Sequence, residues 1–188
     1  SYDLALFDMR VRDILVPYQG SNERTYYQNR GKTKHLGIET NITWQPSSKW
    51  RFALTYQYLD AIFESGFSEN SISMMGYKVP GITPNRGAMK INYTGHGWMA
   101  SSDAEMVDSY FVNNANTVRN GSYVDWNARF SLIHWRPFDR VSVDPYLAIY
   151  NLLNSQYNGS VIVNATGGQY FEPAAGRHWA AGLAITFY

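Results

Sequence analysis

The last ten residues constrain the fold more tightly than any other stretch of the chain. From Trp179 the positions Trp179, Ala181, Leu183, Ile185 and Phe187 are apolar, and Ala180, Gly182, Ala184 and Thr186 between them are small or polar. A period of two marks a strand with one greasy face and one small or polar face. This strand runs into terminal aromatics, where the ends of water-soluble domains are usually polar and frayed. A closed membrane barrel gives such a strand a place, because its last strand pairs with its first.

Composition points the same way. Charged residues make up 16% of the chain, below the roughly 25% of ordinary soluble domains. Aromatics also reach 16%, with 15 Tyr, 9 Phe and 6 Trp. Mean hydropathy is nevertheless −0.36, and no apolar run approaches the ~18 residues a membrane helix needs. The fold class expected is therefore all-β: a transmembrane antiparallel β-barrel, whose strands alternate. A net charge of +1 without charged blocks excludes an electrostatic footprint for nucleic acid. The absence of cysteine excludes disulfides and thiolate metal sites. At this length a single domain over residues 1–188 is expected.

Reading in order gives eight candidate strands, over residues 1–16, 25–44, 50–63, 89–94, 98–112, 124–132, 141–153 and 179–188. The clearest sets Trp50, Phe52, Leu54, Tyr56 and Tyr58 against Arg51, Ala53, Thr55 and Gln57. Alternation is weaker over 98–112, and over 141–153 the pattern assigns no faces. The connections alternate in length. Those over 46–49, 95–97 and 137–140 are short, whereas those over 17–23, 64–87, 113–121 and 154–173 are long. Outer-membrane barrels have short periplasmic turns and long extracellular loops. An even strand count then places both ends of the chain with the short turns.

The charges are sorted as well. The greasy faces of the strands over 36–44, 50–58, 89–93, 124–132 and 179–187 carry no Asp, Glu, Lys or Arg. The opposite faces carry Glu39, Arg51, Lys90, Asp125 and Arg129. A soluble antiparallel sheet with a buried greasy face would sort charges in the same way. It would not place Trp44, Trp50, Trp98 and Phe187 beside the short turns or the terminus, where an interfacial aromatic girdle belongs.

No catalytic constellation stands out. His35, His96, His134 and His178 lie apart without metal-ligand spacing, and His96 between two glycines reads as a turn residue. No enzyme activity, cofactor or metal site is expected. Asn41, Asn92, Asn120, Asn158 and Asn164 head Asn-x-Ser/Thr triplets, and those in loops read as turn formers.

Several segments resemble the C-terminal part of TonB-dependent outer-membrane receptors, whose 22-stranded barrel encloses an N-terminal plug. They are Tyr27-Gln28-Asn29-Arg30-Gly31, Gly37-Ile38-Glu39, Tyr58-Leu59-Asp60-Ala61-Ile62-Phe63, Val79-Pro80-Gly81-Ile82-Thr83-Pro84, Tyr150-Asn151-Leu152-Leu153-Asn154-Ser155-Gln156-Tyr157 and Phe171-Glu172-Pro173-Ala174-Ala175-Gly176-Arg177. Their order and spacing carry the likeness more than any one of them. Gly159-Ser160-Val161-Ile162-Val163-Asn164 is similar to receptors for pyrroloquinoline quinone. The resemblance implies that residues 1–188 are the C-terminal part of the barrel, about the last eight strands of 22, without a plug domain, a TonB-contacting box or a signal sequence. It implies the outer membrane of a Gram-negative bacterium as location, and uptake of a scarce nutrient, a ferric siderophore or a small anionic cofactor. The implied partners are outer-membrane lipid, the remainder of the receptor with its plug and earlier strands, TonB-ExbB-ExbD acting through the plug, and a small-molecule ligand; nucleic acid is not among them. A complete small eight-stranded barrel with a structural or adhesive role is the alternative. A barrel enzyme would need a Ser/His/Asp set on one rim.

Arg24, Tyr26, Tyr77, Lys78, Arg86, Arg119 and Tyr170 fall in the long connections and are the ligand-binding candidates, because cations and aromatic rings capture anionic or planar ligands. Glu172 and Arg177 are expected to anchor the last loop through charged hydrogen bonds. Gly182, Ile185 and Phe187 match the spacing of the signal read by the outer-membrane assembly machinery, with Tyr188 one residue beyond it.

Overall fold

The computed structural model describes residues 1–19, 24–29, 31–65, 68–69 and 72–188. A nine-stranded antiparallel sheet dominates. Its strands are β1 (Tyr2–Arg12), β2 (Lys32–Trp44), β3 (Trp50–Ser65), β4 (Asn85–Gly95), β5 (Trp98–Val107), β6 (Tyr123–Leu132), β7 (Trp135–Phe138), β8 (Val141–Tyr150) and β9 (His178–Phe187). From β1 to β6 each strand pairs with the next. β8 then takes β6 and β7 as partners and pairs with β9 along its whole length. Among the described residues no pairing joins β1 to β9, so the sheet is open.

The pairing register settles the two faces, because directly opposed residues of an antiparallel pair project to the same side. Ile42 opposes Leu54, and Leu54 opposes Met89. Met89 opposes Ala104, and Ala104 opposes Trp126. On the far side Phe130 opposes Leu147, and Leu147 opposes Ala181. One apolar face therefore runs unbroken across the sheet. It is not a core. Leu4, Leu6, Leu183 and Phe187 are 65%, 71%, 61% and 77% exposed. The whole chain exposes 12434 Å², where a compact monomer of its 21.5 kDa would expose about 9,000 Å². Among the described residues of this chain nothing packs over the greasy face to make it a core.

Register also explains the strand of weak alternation and the one to which the pattern assigns no faces. On β5 the apolar face is made of Ala100, Ser102 and Ala104, small residues set opposite Tyr93, Ile91 and Met89. On β8, Val141, Val143, Pro145, Leu147 and Ile149 share that face. Pro145 lacks an N–H, and it lies where the neighbour on one side passes from β6 to β7.

Aromatic rings line the end of the sheet that carries the tight turns. Trp44 stacks on Phe52 at 5.1 Å, and Phe52 on Trp50 at 5.7 Å. Trp50 meets Tyr93 at 4.8 Å, Tyr93 meets Trp98 at 4.2 Å, and Trp98 meets Phe130 at 5.6 Å. The expected tight turns are present at this end. His96 and Gly97 take φ of +53° and +78°, as a two-residue primed hairpin turn requires.

Several boundaries differ from the sequence expectation, including the fifth strand, which ends at Val107 rather than residue 112, and the strand from Val141, which ends at Tyr150 rather than residue 153. The first strand stops at Arg12, because Asp13 turns left-handed with φ +56°, and the chain resumes as a ribbon of Leu15–Gln19 with Thr25–Asn29. Residues 20–23 of the loop expected there lie outside the described residues. The second strand is broken before Lys32 rather than continuous from residue 25. The fourth begins at Asn85, four residues early, so Gly87 belongs to a strand. Pro137 lies inside β7, and the turn expected over 137–140 is confined to Asp139 and Arg140.

Candidate functional site

The opposite face of the sheet is polar and forms the candidate site together with the long loops at its far end. Gln57 donates to Glu39 at 2.9 Å, and Arg86 Nε donates to Glu105 at 2.7 Å. Asn127 Nδ2 bridges two carboxylates, Asp103 at 3.0 Å and Asp125 at 3.2 Å. Arg51 and Lys90 are exposed on this face and make no ion pair among the described residues. Arg129 lies over the Tyr146 ring at 4.0 Å, and that ring also covers Gly182, where a Cβ would come within 2.6 Å of it. Phe7 covers Gly37 in the same way, so an aromatic ring seals a glycine in the pairings nearest each edge of the sheet.

Where this face meets the loops, Tyr110 and Tyr123 feel the Arg86 charge, and Tyr157 joins them through Tyr123. Tyr123 and Tyr157 stack at 4.2 Å and an interplanar angle of 11°. Burial pushes the Tyr110 phenol up, opposed in part by the neighbouring Asn120 side chain and by the Arg86 charge. Burial also pushes the Tyr157 phenol up, and the Asp125 carboxylate adds to the effect. These phenols therefore stay protonated at neutral pH, as hydrogen-bond donors. A hollow of about 450 Å³ lies alongside, lined by Asn154, Ser155, Gln156, Tyr157, Asn158 and Pro173 among others.

The loops are pinned by asparagines. Asn151 is buried at φ +51°; its side chain accepts from Ser155 N at 2.8 Å and donates to Ser155 O and Ala175 O. Asn154 Oδ1 accepts from Arg177 N at 3.0 Å. Asn164 and Asn114 pair with each other, and Asn158 donates to Asn120. The last loop is thus anchored by amides. The charged bonds expected of Glu172 and Arg177 are not made among the described residues, because both side chains are exposed and only the Arg177 backbone takes part.

The seven ligand-binding candidates do not converge. Arg24 and Tyr26 are exposed at and beside the outer ribbon. Tyr77 packs against the small core of Phe63 and Met74. Lys78 is ion-paired with Asp60, Arg119 lies over Phe111 at 4.3 Å, and Tyr170 leans on Phe171. Arg86 is placed on β4 rather than in a loop, and it is the candidate that meets the tyrosine group. Tyr110, Tyr123 and Tyr157 are not among the candidates that the sequence marks. Nothing in their local pattern sets them apart in a chain with 15 Tyr. Among the described residues no three His, Asp or Glu stand together as a metal site would require.

Similarity to solved structures extends over the chain. The siderophore receptor PiuA from Acinetobacter baumannii matches with a TM-score of 0.77 and 21% identity, over 100% of this chain and 26% of that one. The ferric yersiniabactin uptake receptor FyuA from Yersinia pestis matches at 0.73 and 17%, over 99% and 27%. The copper transporter OprC matches at 0.67 and 13%, over 100% and 29%. At such identities the likeness is one of fold, and the chain spans about a quarter of the length of these receptors. The family described as TonB dependent receptor-like, beta-barrel matches residues 1–152. With the open sheet, its apolar face and its polar face, that match makes the chain a member of the TonB-dependent receptor β-barrel family.

Proposed function

We propose that this chain is the C-terminal, closing wall of an outer-membrane receptor that takes up a ferric siderophore or a small anionic cofactor. Energy would reach it from TonB, ExbB and ExbD through a plug held inside the barrel. The observation that carries this reading is the sorting of one open sheet into two faces. The apolar face meets lipid, and the nine residues from Trp50 to Tyr58 cover the ~9–11 that a tilted strand needs to span. The polar face looks into the barrel, where Arg51 and Lys90 suit an acidic plug surface. A small barrel complete in itself would need β1 paired with β9, and the open sheet does not favour it.

At the mouth, Arg86 with Tyr110, Tyr123 and Tyr157 suits an anionic, planar or chelated ligand, through charge-assisted bonds and stacking. Deleting the full gene should abolish growth on one scarce iron source or cofactor, and the intact gene should restore it. Unchanged growth on every such source contradicts uptake. In the full-length receptor, Arg86→Gln should weaken binding of that nutrient by about tenfold or more while assembly is unchanged. Unaltered affinity removes Arg86 from the site.

A further inference from the structure

Beyond this reading, and resting on its assignment of the apolar face to lipid, the geometry points to a binding site for phosphorylated lipid headgroups on the outside of the sheet, formed by Arg10, Arg12, Lys32 and Lys34. The register of β1 and β2 sets Arg10 directly opposite Lys34 and Arg12 directly opposite Lys32. All four project to the side of Leu4, Leu6, Leu36 and Ile38, because they follow those residues at even steps along the same strands. Directly opposed like charges cost stability in an antiparallel pair. Two such pairs stacked on adjacent strands make a four-cation array with no obvious structural reward.

The carboxylates nearby neutralise it only in part, pairing with Arg10 and Lys34 and leaving Arg12 and Lys32. Asp8 stands 3.7 Å from Lys34 and Glu64 stands 3.6 Å from Arg10, each pair joining a half-buried to an exposed side chain. Those separations exceed the ~2.7–2.9 Å of a charge-assisted hydrogen bond, and partly solvated pairs of this length are weak. Arg12 and Lys32 are exposed and make no ion pair among the described residues. Asp60, the remaining acid of this belt, is taken by Lys78.

Height selects the occupant. Along β2 the apolar stretch runs from Trp44, at the turn end, to Leu36. Lys34 and Lys32 follow it by two and four residues, or about 7 and 13 Å along the strand at ~3.3 Å per residue. Strand tilt brings this to the level at which phosphates sit above the hydrocarbon. A cation there gains from an anionic headgroup, and long side chains leave their stems on the acyl region. The array accordingly fits a lipid whose headgroup carries phosphate monoesters, with its chains lying against Leu4, Leu6, Leu36 and Ile38.

The test uses the full-length receptor in nanodiscs of phosphatidylcholine with or without phosphatidic acid, followed by native mass spectrometry of retained lipid and by thermal unfolding. The variant carries Arg10→Gln, Arg12→Gln, Lys32→Gln and Lys34→Gln. A control variant carries Lys49→Gln and Arg140→Gln at the turn end. Wild type and control should retain phosphatidic acid and be stabilised by it, and the fourfold variant should retain about tenfold less. Its heat-modifiable migration and nutrient uptake should stay intact, which separates failure of this site from failure of the uptake reading. Equal retention by the fourfold variant overturns the proposal. Equal stabilisation of wild type by inorganic phosphate also overturns it, because the array would then be a site for free anions rather than lipid.

Discussion

Tyr146 and Gly182 show how one residue pair fixes the seam between β8 and β9. The two are directly opposed, and the ring occupies the space a Cβ would need, with Arg129 lying over the same ring. Gly182 was legible in the sequence as part of an assembly signal. Its packing role was not, because the partner lies on another strand and is identified only by register. Gly182→Ala should destabilise the receptor by ~1–3 kcal/mol through overpacking. In a Tyr146→Ala background that cost should nearly vanish, a coupling that a double-mutant cycle in urea measures directly. Equal costs in both backgrounds would show that the ring does not depend on the bare glycine.

Elements depend on their ends. β9 is held by Phe187 opposite Val141, by Tyr188 N donating to Arg140 O at 3.1 Å, and by Arg136 over the Tyr188 ring at 5.0 Å. Removing Phe187 and Tyr188 should therefore block insertion into the membrane, read as loss of heat-modifiable migration. A truncated receptor that inserts normally would end the assembly-signal reading of Gly182, Ile185 and Phe187.

At the other end, β5 is tied to the start of β4 through Asp108. Asn85 donates to its carboxylate at 2.9 Å, Ser109 N donates at 2.7 Å, and Thr83 donates to its backbone oxygen. These bonds, the Asn85 one foremost, hold the Asp108 carboxyl below its ordinary value. The contribution is complete above the unfolded carboxyl range and is lost as pH falls through the folded value. Protection of the Ser109 amide against exchange should fall on acidification below about pH 4, and Asp108→Asn should remove that dependence. A pH response unchanged in the variant would place the titrating group elsewhere.

At the scale of the whole molecule, strand order and the sorting of charges were legible because period-two patterning and turn residues are local. Trp50 to Tyr58 and Trp179 to Phe187 declare their faces without help. Three features were not legible. Ala100, Ser102 and Ala104 dilute the alternation of β5, and Pro145 blurs that of β8. The Arg86 and tyrosine group is assembled from β4, β6 and two loops far apart in sequence. The amide latch replaced the charged anchor expected at Glu172 and Arg177, because buried Asn151 reaches three backbone groups that no exposed charge could reach without being desolvated.

The central claim is that one face of this sheet meets lipid and the other lines a polar interior. With no cysteine in these 188 residues, single cysteines can be placed in turn from Arg51 to Gln57 of the full-length receptor and spin-labelled in bilayers. Labels at Phe52, Leu54 and Tyr56 should be relaxed by lipid-soluble oxygen, and those at Arg51, Ala53, Thr55 and Gln57 by a water-soluble nickel complex. A period-two alternation in that phase is the result expected. No alternation, or the opposite phase, would contradict the assignment of the two faces and the receptor wall built on it.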